Sequence, residues 1–292
     1  MKKTAGYAVL LTLVGIALVF GVYLKWSLDF FQPQVKKEDV DLHENVFMSA
    51  GNANMTAHHP INPASPDSLR LVIVPYFEPT SPDWQILYDQ ADRNPGVIKY
   101  AIINPCSGPC QEPLSVEWQQ IISELKKRDI KTLGYVFDSF QSIENIDYYM
   151  KEPPVTTDGI FFDNEGSSDT IERFRQYANH VHDLGGIVYI NPGYNYPYII
   201  NYLTAGLADV ANVYEFESSK AHHIEVDKEL SPNRLSAILG DVYTISEMKR
   251  MLSETADAGI GTVYVYSDSY YSLPPFFLDL VKETSATKIQ SS

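Results

Sequence analysis

The sequence predicts an α/β protein, a (β/α)8 barrel of the TIM type behind an N-terminal transmembrane helix. Three observations carry this expectation. Strand-like and helix-like segments alternate from residue 70 onward. Eight such strands fit into ~215 residues, the scale of a compact barrel. The N-terminus carries a long uncharged run, mostly apolar, from Thr4 to Leu24.

The strands are read from short runs rich in β-branched and aromatic residues. They are Arg70–Tyr76, Gly96–Ile103, Lys131–Phe137, Gly159–Phe162, Gly186–Ile190, Asp209–Tyr214, Leu235–Leu239 and Gly261–Tyr266. Helical periodicity is clearest over Trp84–Arg93, Ser115–Arg128, Ser168–Leu184 and Ile245–Ala258. Tyr198–Leu203 is a short helix, and Ile143–Tyr149 and Pro274–Val281 are weaker ones. The crossover between strands six and seven is poorly helical and contains Ser231-Pro232. Repeated strand–helix units imply a parallel sheet. An open doubly wound sheet is the alternative, and the strand count favours closure. No Gly-x-Gly-x-x-Gly or phosphate-loop motif follows a strand, so no nucleotide cofactor is expected.

Lys2 and Lys3 precede the apolar run, and Lys25 and Trp26 close it. Its 21 residues make a helix of about 30 Å, enough to span a bilayer. No small-x-small cleavage site follows Leu24, so the run reads as a retained anchor, with a cleaved secretory signal as the alternative. The basic residues before it favour an extracytoplasmic soluble domain. The domains then read as an anchor over 1–26, a linker over 27–67, a barrel over 68–284 and a disordered tail over 285–292. The linker holds His58 and His59, read as solvated, and the sequon Asn54-Met55-Thr56.

Hydrophobic residues make up 45% of the 292, enough for a large core. Twenty tyrosines, 13 phenylalanines and 3 tryptophans suit an aromatic-lined cleft as well as an ordinary core. A net charge of −15 repels phosphate backbones, which argues against nucleic-acid binding. The two cysteines, Cys106 and Cys110, lie in a Gly-Pro loop whose tightness lets their sulfurs meet; free buried thiols are the alternative.

A barrel keeps its active site at the C-terminal ends of its strands. Tyr76 and Glu78 stand there after strand one, and Asn104 opens the cysteine loop after strand two. Tyr135 and Asp138 mark strand three, Asp163, Asn164 and Glu165 strand four, and Asn191 and Tyr194 strand five. Glu215 and Glu217 end strand six, and Asp268 follows strand eight. Strand side chains alternate, so Phe161, Asp163 and Glu165 share one face, and Glu215 and Glu217 another. A carboxylate so placed must find a partner or face the cleft, because a lone buried charge is costly. Paired carboxylates over a barrel mouth are the apparatus of glycosidic cleavage, one as proton donor and one as nucleophile, base or charge stabiliser. The same acids also suit a metal site or helix caps.

The ordered set of motifs resembles the spherulin-4 family, barrel proteins related to microbial polysaccharide-degrading glycoside hydrolases. The likeness runs from about Leu71 to Val281. Its pieces are Val74-Pro75-Tyr76 with Pro79 and Trp84, Asn104-Pro105 with Ser107-Gly108-Pro109, Gly134-Tyr135-Val136, Asp158-Gly159-Ile160-Phe161-Phe162-Asp163, Asn191-Pro192-Gly193, the Asp209–Glu215 spacing and Ser272-Leu273-Pro274. The resemblance implies hydrolysis of exopolysaccharide containing galactosamine or N-acetylgalactosamine, with Asp163 and Glu215 as its catalytic carboxylates. Two departures stand out. The family often has Glu directly after the strand-four Asp, where this chain has Asn164 and then Glu165, a candidate substitute. A histidine common near the end of strand seven is replaced by Leu239-Gly240-Asp241. Tyr76, Asn104, Tyr135, Asp138, Asn191, Tyr194 and Asp268 are the expected sugar-binding residues. The expected partners are an amino-sugar polysaccharide and, through residues 4–24, a lipid bilayer. A non-catalytic cell-surface carbohydrate-binding protein on the same barrel is the second reading, and a structural envelope domain the third.

Overall fold

A computed structural model describes residues 67–137, 142–163, 171–192, 196–217 and 230–290. The expected anchor and nearly all of the linker lie outside the described residues, as do Asp138, Glu165 and Tyr194. Among the described residues no helix is long and apolar enough to cross a membrane.

Eight parallel strands close a barrel in sequence order. They are β1 (Arg70–Ile73), β2 (Ile98–Ile103), β3 (Lys131–Phe137), β4 (Gly159–Asp163), β5 (Ile187–Asn191), β6 (Val210–Glu217), β7 (Leu235–Gly240) and β8 (Thr262–Val265). Helices α1 (Asp83–Arg93), α2 (Val116–Lys127), α3 (Ile143–Met150), α4 (Ile171–Asp183), α5 (Tyr196–Thr204), α6 (Ile245–Asp257) and α7 (Phe277–Ala286) follow their strands. Between β6 and β7 the described residues hold one short 3-10 turn, Pro232–Arg234. The eight-unit reading therefore holds, and the open sheet is excluded.

The boundaries that differ have local causes. β1 stops at Ile73, short of the expected Tyr76. Pro75 has no N–H to give a ladder, and the Tyr76 N–H turns to the Tyr270 carbonyl at 2.9 Å. β6 runs on through Glu217, past the expected Tyr214, because residues 214–217 stay paired with Ala237–Gly240 of β7. Within the segment expected as a tail, α7 runs on to Ala286. Ser68 and Lys288 form an antiparallel bridge, and Ile289 N–H donates to the Asp67 carbonyl at 2.9 Å. Helix starts obey capping chemistry: Ser115, Ser142 and Thr244 accept from the N–H of Trp118, Asn145 and Glu247.

Register places the site. Tyr135 pairs with Phe161, Phe137 with Asp163, Phe161 with Tyr189 and Asp163 with Asn191, so matched side chains share the barrel interior. Tyr100, Phe161 and Tyr189 fill that interior as an aromatic layer, with Tyr189 5.7 Å from Tyr100 and 5.1 Å from Phe161. Polar groups above this plug face the mouth. In β6 the register shifts between Asn212 and Tyr214: Asn212 pairs with Ser236 and Tyr214 with Ala237. Val213 is the extra residue of a bulge, the device that re-aims side chains beside active sites. It puts both Asn212 and Glu215, three positions apart, on the interior face.

Outside the barrel, the missing side chain of Gly134 makes room for the buried ring of Tyr149 from α3. A Cβ at 134 would lie 2.3 Å from that ring. Gly134→Ala should therefore cost roughly 1–3 kcal/mol, the usual range for overpacking a filled core. Denaturant unfolding reads this as a lower midpoint. An unchanged midpoint would mean that the ring gives way freely.

Candidate active site

The mouth of the barrel is organised around the Asn191 side chain. Its amide nitrogen donates to Asp163 Oδ1 and to Glu215 Oε2, each at 2.8 Å. Because one nitrogen serves both, the two acceptor oxygens can be no further apart than twice that distance. Asp163 Oδ2 accepts from the Tyr135 hydroxyl at 2.5 Å. Glu215 Oε1 accepts a longer bond, 3.4 Å, from the Tyr270 hydroxyl. Strands β3, β4, β5 and β6 and the segment after β8 thus meet at one pair of carboxylates.

Electrostatics separate these groups. Burial pushes Glu215 above the ordinary carboxylate range, and the charge of Asp163 adds to that push. The hydrogen bonds from Asn191 and Tyr270 oppose it. The phenols go the same way for the same first reason. Burial and the nearby carboxylates push Tyr76 up to about 12. Tyr135 is raised further by burial, Asp163 and Tyr76, and Tyr270 by burial, Glu215 and Tyr266. All three stay protonated at neutral pH and serve the site as hydroxyl donors and apolar walls.

The wall over this pair is aromatic. Tyr76 lies 6.1 Å from Tyr135, 5.6 Å from Tyr270 and 6.4 Å from Tyr271, whose ring is 72% exposed. Tyr266 sits 4.3 Å from Tyr270. A Cβ at Gly240 would meet the Tyr266 ring at 2.5 Å. Tyr266 therefore fills the space beside Gly240 at the end of β7.

The expected residues divide. Asp163, Glu215, Asn191, Tyr135 and Tyr76 come together. Asn104 stands one step back: its Oδ1 accepts from the Gly108 N–H at 2.8 Å and so holds the cysteine loop. Its Nδ2 is buried without a hydrogen-bond partner among the described residues, and the amide offsets part of the upward push that burial gives the Tyr76 phenol. Cys106 and Cys110 are disulfide-bonded, closing the loop in which Ser107 and Gly108 adopt φ of 55° and 132°. Only glycine is at ease at the second value. Asp268 is exposed and accepts a 3.0 Å bond from its neighbour Ser267, outside the Asn191 cluster.

Sequence reasoning missed Tyr270, Asn212, Ser236 and the hydroxyl of Tyr189. Asn212 carried a usable signal, an amide inside the apolar run Val210-Ala211-Asn212-Val213, where a buried polar group needs a partner. Among the described residues no group of three or more His, Cys, Asp or Glu side chains is placed to hold a metal ion.

Fold and site together define a TIM barrel with a carboxylate pair at the C-terminal ends of its strands. The chain belongs to Spherulation-specific family 4, whose model matches residues 70–284. Among solved structures it is similar to Sph3 of Aspergillus clavatus in complex with GalNAc, at 20% identity and a TM-score of 0.63, over 75% of this chain and 98% of that one. A GH18 chitinase from Pseudoalteromonas aurantia aligns at 9% identity and a TM-score of 0.49, over 74% and 99%. An uncharacterized B. cereus protein aligns at 12% and 0.48, over 76% and 66%. At these identities the likeness is one of fold. No curated protein matches the chain in sequence.

Proposed function

We propose that this chain is a glycoside hydrolase acting on polysaccharide that contains galactosamine or N-acetylgalactosamine. The observation that carries the reading is the Asn191 bridge, which holds Asp163 and Glu215 within reach of a single glycosidic bond. Glu215, pushed toward its protonated form, is the proton donor to the leaving oxygen. Asp163, which accepts from Tyr135 and Asn191, is the nucleophile or the stabiliser of the oxocarbenium-like transition state. Tyr76 and Tyr135 shape the sugar subsite, with Asp138, Tyr194 and Asp268 as further contacts. Glu165 stands in for the acid that Asn164 lacks. The amino-sugar preference draws support from family membership and from the GalNAc bound to Sph3. The test is release of reducing ends from a galactosamine-containing polymer. Glycan binding without release would instead support the non-catalytic carbohydrate-binding reading.

We read the apolar run over residues 4–24 as a retained anchor that would hold this activity outside the cytoplasm. N-terminal sequencing of the mature protein should then begin before residue 25; a start beyond it would mean a cleaved signal.

A further inference from the structure

Behind the Asn191 bridge a chain of buried hydrogen bonds descends into the barrel. Asn191 Oδ1 accepts from Asn212 Nδ2 at 2.8 Å. Asn212 Oδ1 accepts from the Ser236 hydroxyl at 3.2 Å. Ser236 Oγ in turn accepts from the Tyr189 hydroxyl at 2.5 Å. Asn191 is 2% exposed, and Asn212, Ser236 and Tyr189 are 0% exposed, so each link is closed to bulk water.

The chain has one consistent direction. The Asp163 carboxylate only accepts, so Asn191 must present its NH2 to the mouth. Its carbonyl oxygen then faces Asn212, which must offer an NH2 there. The Asn212 oxygen is left facing Ser236, whose hydroxyl donates there at 3.2 Å, shorter than its alternative bond of 3.4 Å to the Ala211 carbonyl, and Tyr189 donates to Ser236. Reversing any link sets two donors or two acceptors against each other in a site where an unmatched polar atom costs about 1–3 kcal/mol. We propose that Asn212 and Ser236, backed by Tyr189, are positioning residues that fix which way the Asn191 amide faces and through it hold Asp163 and Glu215 in working geometry. The bulge at Val213 is what allows this, since it turns Asn212 and Glu215 to the same side of β6.

Glu215 reports on the arrangement. Among the described residues the groups that act on it are Asp163 from β4, Asn191 from β5 and Tyr270 from the segment after β8. The phenols of Tyr76 and Tyr189 feel its charge in turn. The Asn191 bond favours the charged form of Glu215 and lowers its pKa. A misdirected Asn191 amide therefore lets Glu215 titrate at higher pH.

The experiment uses the full chain and three variants, Asn212→Leu, Ser236→Ala and Tyr189→Phe. Three quantities are measured: thermal unfolding, kcat and KM on a galactosamine-containing polymer, and the Glu215 carboxyl titration by 13C NMR. Only the kinetic arm rests on the hydrolase reading. In Asn212→Leu, kcat should fall on the order of 10²-fold with KM little changed, the usual penalty for slightly misplaced reacting groups. The Glu215 titration should move upward. Ser236→Ala should show the same two changes, smaller, and Tyr189→Phe the smallest. A merely structural role would lower the unfolding temperature and leave kcat per folded molecule and the Glu215 titration where they were; that result overturns the proposal. If Asn212→Leu does not fold, Ser236→Ala decides, because it removes a single hydroxyl. If the wild type hydrolyses nothing, the hydrolase reading fails, and the Glu215 titration still decides the role of Asn212.

Discussion

Asp163→Asn is expected to reduce hydrolysis by at least ~10²–10⁴-fold, the scale of a single acid–base group and a lower bound for a nucleophile. Asparagine keeps the size and planar shape of the side chain. It does not keep the acceptor pattern, since Tyr135 and Asn191 both donate to the native carboxylate. The new amide must turn its NH2 toward one of those donors, so the charge and one hydrogen bond are lost together. Without a negative charge at 163, positive charge developing on the sugar ring has no counterpart at that position. Circular dichroism of the variant should stay native-like, because β4 keeps its ladder and its apolar residues. A rate within threefold of wild type in folded Asp163→Asn would remove this residue from the chemistry.

Glu215→Gln is expected to cost a similar factor through a different cause, the loss of the proton given to the leaving oxygen. Its effect on stability should have the opposite sign to its effect on activity. The folded-state pKa of Glu215 is raised above its ordinary value by burial and by Asp163. The stability tied to its protonated form is fully present below the ordinary glutamate range and is lost as pH rises through the folded pKa. At neutral pH the native glutamate is therefore a burden on the fold, which a neutral glutamine relieves. Thermal unfolding at pH 7 should show the variant as stable as wild type or more so, while its turnover is nearly gone. For the same reason wild-type activity should fall on the alkaline side through a limb lying above the usual carboxylate range. A variant both inactive and clearly destabilised at pH 7 would make Glu215 a structural acid.

The alternation of segments revealed the barrel, because a strand followed by a crossover helix has few parallel arrangements open to it. Asp163 and Asn191 were legible as strand-end polar residues on apolar strands. Glu215 was reached by the same route, but simple alternation along β6 sets Asn212 on the opposite face. The Val213 bulge reverses that parity, and nothing in the local residues Asn212-Val213-Tyr214 announces it. Tyr270 was hidden for another reason. It lies in the loop after β8, where no periodicity orients a side chain, and its place is set by contacts distant in sequence, the Tyr76 N–H and Glu215. Asn104 shows the converse, a strand-end polar residue of the expected type whose first duty is to its own loop.

The central claim is that Asp163 and Glu215 together carry out hydrolysis. Its most direct test is the initial rate of reducing-end release from a galactosamine-containing polymer, compared between wild type and the double variant D163N/E215Q. The account predicts measurable wild-type turnover and none above background in the folded double variant. Turnover that survives the loss of both carboxylates would contradict it.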